Sequence, residues 1–76
     1  MINAQRLHRQ YPETFYVPSY EELEKLKPND QIKVCMGDTR IWVIVTEVKG
    51  KHITCTSDFT GSMKVRFCNV FDTIIY

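Results

Sequence analysis

At 76 residues with 43% apolar and 25% charged side chains, the chain has room for one domain and is too apolar for a disordered segment. A domain this short buries only about 60% of its extended surface, so its large apolar residues have to be placed economically. The formal net charge is +1, with four basic and five acidic groups in residues 1–30 and six basic and four acidic in residues 31–76. That imbalance is too small to argue for nucleic acid on electrostatics alone.

Cys35, Cys55 and Cys68 are odd in number and lack Cys-x-x-Cys spacing, which suits reduced thiols better than a secreted disulfide framework. The start Met1-Ile2-Asn3-Ala4 has no apolar signal run, and no stretch approaches the ~20 apolar residues of a membrane span. These features predict a cytoplasmic protein.

Residues 3–10 are compatible with a short helix, capped by Asn3 and carrying Leu7 as its main apolar group. Tyr11-Pro12 and Val17-Pro18 each favour extended backbone, so Tyr11 to Val17 is expected to lie as an arm across the domain, anchored by Phe15 and Val17. Ser19 and Glu22 form a capping-box pattern ahead of Leu23 and Leu26, predicting a helix over Tyr20 to Leu26. Pro28 stops it, and Pro28-Asn29-Asp30 suits a turn.

Strand patterning follows. Ile32, Val34 and Met36 alternate with Lys33 and Cys35, which predicts one buried face. Arg40 to Val48 is the longest apolar run, with Ile41, Val43 and Val45 on one face and Trp42, Ile44, Thr46 and Val48 on the other. It reads as a central strand covered on both sides. Gly50 supplies a hairpin turn, and His52 to Ser57 returns with Ile53 and Cys55 inward. After the turn Asp58 to Ser62, Met63, Val65 and Phe67 alternate with Lys64, Arg66 and Cys68, and Thr73 to Tyr76 closes the set. Five short strands joined by hairpin-length links predict a mainly β fold: a small antiparallel SH3-like or OB-like barrel over residues 31–76, with an arm and short helices from residues 1–30 packed on it.

The runs Leu26-Lys27-Pro28-Asn29-Asp30-Gln31-Ile32-Lys33 and Arg40-Ile41-Trp42-Val43-Ile44-Val45 resemble a family of small domains found in bacteria, phages and large viruses. Its pattern is Leu-Lys-x-Gly-Asp-x-Val-Lys followed by Glu-Arg-x-Trp-Val-x-Val. Here Asn29 stands at the glycine and Thr39 at the glutamate. The resemblance implies a five-stranded SH3-like barrel and carries over no catalytic or ligand-binding residue.

No chemistry-bearing constellation emerges, and the chain reads as a non-enzyme without cofactor or metal. His52 and Cys55, three apart on a strand, should face opposite ways, and no cysteine pair has zinc-motif spacing. The carboxylates Glu21, Glu22 and Glu24 sit where they complement a helix dipole, and Asp30, Asp38 and Asp58 sit in turns. Binding is the more natural role, because small barrels hold ligands with exposed aromatics, loops and sheet edges.

Phe59, in a polar loop, is the leading partner contact, with Tyr16 and Trp42 as further aromatic candidates, although core packing is the ordinary account of Trp42 and Phe67. Lys49, Lys51, Lys64 and Arg66, with Lys33 if it shares their face, form a conceivable basic stripe. The expected function is a protein-interaction adaptor or inhibitor, host-directed if the chain is viral or phage-encoded. The alternative is a nucleic-acid or nucleotide binder.

Overall fold

The computed structural model describes residues 1–13 and 17–76, so the expected contacts of Phe15 and Tyr16 lie outside the described residues. Helix α1 spans Ala4–Gln10 and helix α2 spans Tyr20–Glu24. Five strands follow: β1 (Gln31–Met36), β2 (Thr39–Lys49), β3 (His52–Ser57), β4 (Gly61–Arg66) and β5 (Asp72–Ile74), with a 3-10 turn at Phe67–Asn69 between the last two. They form one antiparallel sheet in the order β4-β3-β2-β1-β5.

Both helix starts are capped as their sequences predict. Asn3 Oδ1 accepts the Arg6 N–H at 3.0 Å and Ser19 Oγ accepts the Glu22 N–H at 3.2 Å. The second helix is shorter than its apolar spacing suggested. It ends at Glu24, four residues before Pro28, and the Lys25 and Leu26 N–H groups close the last turn onto the Glu22 and Leu23 carbonyls at 3.2 and 3.3 Å, the i to i−3 bonds of a 3-10 turn.

Asn29 has φ of +81°, and the Asp30 N–H closes onto the Lys27 carbonyl at 3.1 Å. Proline followed by a residue with positive φ is the signature of a type II turn. Asparagine tolerates that region better than most residues, so the turn forms without glycine.

The sheet buries one face. Ile32, Val34, Val43, Val45, Ile53, Cys55 and Val65 meet Leu23, Leu26, Phe67 and Val70, each at most 6% exposed. α2 and the 3-10 turn therefore roof this side. A smaller cluster joins Ala4, Cys35 and Phe71, with Ile2, Leu7 and Val17 packed on it, so Cys35 is buried under α1 on the other side of β1. Ile2 also donates its N–H to the Cys35 carbonyl at 3.2 Å.

Four expectations change. The ladder is open among the described residues, with β4 and β5 at its two ends, so it is not the closed barrel expected. The central strand β2 is covered on one side only, leaving Trp42 38% and Ile44 42% exposed, because the small roof of α2 and the 3-10 turn covers the opposite face. Val48 turns inward rather than outward. The register with β3 shifts between Val45 and Glu47, a bulge at Thr46 that reverses the side-chain alternation beyond it. The final strand also runs Asp72–Ile74 rather than to Tyr76, which is exposed.

Candidate binding face

Cross-strand register assembles the uncovered face row by row, since residues directly opposite in an antiparallel pair share a face. Ile74, Gln31, Ile44, Thr56 and Ser62 form one row across all five strands. Asp72, Lys33 and Trp42 form the next. On the other side of the first row lie Glu47, Thr54 and Lys64, then Lys49, His52 and Arg66.

Trp42 is the centre of the apolar part. Gln31, Trp42, Ile44, Thr56, Ser57 and Asp58 line a shallow groove of about 260 Å³. Lys33 Nζ lies 5.8 Å from the Trp42 ring centroid, a cation held over the indole. The groove combines an aromatic wall and an aliphatic wall with amide, hydroxyl and carboxylate groups, which is the make-up of a surface that orients a ligand by a few polar contacts.

A wider depression of about 470 Å³, lined by Glu47, Lys49, His52, Thr54 and Lys64, occupies the other part of the face. Among the described residues its lining has no large apolar group to anchor a ligand, so it serves better as a charged flank. Among the described residues no group of three or more His, Cys, Asp and Glu side chains is placed to hold a metal ion.

The structure separates the candidates named from the sequence. Trp42 sits on the open face instead of in the core. Phe59, 79% exposed, projects from the β3–β4 turn next to Asp58, at the groove end of the sheet. That turn is held by the Thr60 N–H to Ser57 Oγ bond at 3.0 Å. Lys49, Lys64 and Arg66 share the open face, whereas Lys51 lies with its ammonium 5.6 Å from the Tyr20 ring centroid. Tyr20 stacks edge-on against Phe67, which roofs the buried side, so Lys51 belongs to that side of the sheet. Tyr16 falls outside the described residues.

Reading by alternation missed Ile44 and Ile74, which it assigned to burial or to no face. Both are exposed, at 42% and 39%. Only their register reveals that they flank Gln31 in one row.

Asp30 is not an ordinary turn carboxylate. It is 1% exposed, and its two oxygens accept the Lys27 N–H at 2.9 Å and the Tyr76 N–H at 3.0 Å, joining the start of β1 to the end of the chain. Those donors, Tyr76 first and Lys27 second, hold its carboxyl below the usual aspartate value. Desolvation pulls the other way but is a smaller effect than the two hydrogen bonds. Burial pushes the Cys55 thiol upward, so this core cysteine is a poor nucleophile, and His52 is exposed on the opposite face of the strand.

No helix among the described residues is long and apolar enough to cross a membrane. Comparison of the chain with protein-family models, with curated proteins and with solved structures found no match.

Proposed function

We propose that this protein is a non-catalytic binding module whose ligand is another protein, docked on the open sheet face around Trp42. The observation that carries the reading is the pair of exposed apolar groups Trp42 and Ile44 on β2, with Ile74 on β5 in the same row across Gln31, extended by Phe59 at the neighbouring turn. Single exposed apolar residues are ordinary, but adjoining ones in a domain this small mark an interaction surface. Tryptophan is also among the residues that most often dominate binding energy when an interface buries them.

The scaffold reading is an SH3-like barrel, partly open. Its support is the strand order and the 3-10 turn placed between the last two strands, together with the resembled pattern at Leu26–Lys33 and Arg40–Val45. That same resemblance supports a host-directed adaptor or inhibitor of phage or viral type, acting in the cytoplasm.

The test is partner capture with Trp42→Ala and Phe59→Ala, each checked for its fold by circular dichroism. Loss of capture with the fold retained supports the reading, and unchanged capture by both variants refutes this face as the contact.

A second reading is favoured by Lys33, Lys49, Lys64 and Arg66 sharing the face with Trp42, the pairing of cations and a stacking ring that single-stranded nucleic acid uses. A salt titration of a labelled oligothymidylate decides it. Steep loss of affinity with salt supports nucleic acid, and absence of binding at low salt removes it.

A further inference from the structure

We propose that the open edge of β4 receives an acidic, extended segment of the partner as an added strand. The inference rests on the protein-binding reading and gives it the chemistry of the partner segment.

β4 pairs with β3 on one side, and no strand among the described residues pairs with it on the other. Just beyond its end, the Phe67 N–H bonds to the Lys51 carbonyl, while the Arg66 N–H is taken by Asn69 Oδ1 at 2.9 Å. Backbone groups along an antiparallel strand alternate between its two neighbours. Met63 and Val65 therefore turn their amides toward β3, and Ser62 and Lys64 turn theirs outward. Two donors and two acceptors, spaced as i and i+2, are the set that an incoming strand engages.

Side chains choose the occupant. Ser62, Lys64 and Arg66 stand on the open face, and behind them in register lie Thr56, Thr54 and His52, with Lys49 beyond His52. The strip beside this edge holds three permanent cations, Lys49, Lys64 and Arg66, against one carboxylate, Glu47. A second copy of β4 would set lysine and arginine against lysine and arginine, which opposes self-pairing. A segment with acidic residues at alternate positions would instead place a carboxylate opposite each of Lys64 and Arg66. Its intervening residues would lie beside Val65 and the half-buried Met63, so they should be apolar or β-branched.

The probe is the hexapeptide Glu-Val-Glu-Thr-Glu-Val, added at millimolar concentration to the labelled protein, with Lys-Val-Lys-Thr-Lys-Val as its control. Amide exchange and chemical shifts are followed by NMR. The acidic peptide should slow exchange at Ser62 and Lys64, and the basic one should not. In the double variant Lys64→Glu/Arg66→Glu the preference should reverse, with affinity for the acidic peptide falling roughly tenfold. No protection at Ser62 and Lys64, shifts confined to Trp42 and Ile44, or indifference to the charge reversal would each overturn the edge proposal. Those outcomes leave the Trp42 reading to its own capture experiment, in which the peptide plays no part.

Discussion

Replacing Asp30 by alanine tests how the turn before β1 is joined to Tyr76. The carboxylate accepts the Lys27 N–H at 2.9 Å and the Tyr76 N–H at 3.0 Å, and hydrogen bonds to a charged group are worth about 1.5–3 kcal/mol each. Lys27 and Tyr76 are both exposed, so water recovers part of the loss at their amides. A net cost of about 2–3 kcal/mol follows. At 76 residues the whole stability is of order 4–11 kcal/mol, so the variant should keep its fold at pH 7 but melt about 8–24 °C lower.

The effect must also depend on pH. Because the folded carboxyl titrates below its unfolded value, the ionised form is the one that stabilises the fold. Its contribution is complete above the unfolded value, near pH 4, and disappears as pH falls through the lower folded one. Urea titrations of both proteins, followed by far-UV circular dichroism from pH 7 to pH 2, should show the gap wide at neutrality and narrowing below about pH 4. A variant within about 0.5 kcal/mol of the parent at pH 7 would refute the reasoning, as would a gap that persists unchanged at the acid end.

Asn29→Gly should be neutral or slightly stabilising, whereas Asn29→Ala should cost about 1 kcal/mol in thermal unfolding, because φ is +81° there. Phe67→Ala, at a side chain 1% exposed beneath the sheet, should cost about 3–5 kcal/mol and leave little folded protein at physiological temperature, measured by urea unfolding. With a thiol reagent at pH 8, Cys68, which is partly exposed, should react first. Cys55 should react only at the rate of unfolding, because burial both hides its thiol and raises its pKa, and peptide mapping of the labelled protein reads the order.

Features that depend on a few consecutive residues were legible from the chain. The caps at Asn3 and Ser19, the turn at Pro28-Asn29-Asp30, the hairpin at Gly50 and the inward set Ile53, Cys55, Val65 each follow from local backbone preference or strict alternation. Phe59 was also readable, since a large apolar side chain in a short polar turn has no neighbour nearby in sequence to cover it. The Trp42 face was not. A run of apolar residues with both parities filled looks the same whether one face or two are roofed, and the bulge at Thr46 then broke the alternation on which Val48 was placed.

Local chemistry thus determined where the chain turns, where its helices start and which way most strand residues alternate, because those choices are settled within a few residues. Tertiary structure alone decided which side of the sheet is roofed, that the ladder stays open between β4 and β5, and that Ile44, Gln31 and Ile74 lie side by side. It also decided that Asp30 meets Tyr76, a partner 46 residues away. These outcomes depend on the register between distant segments and on how much apolar surface Leu23, Leu26, Phe67 and Val70 can cover, and no short window of sequence contains either quantity.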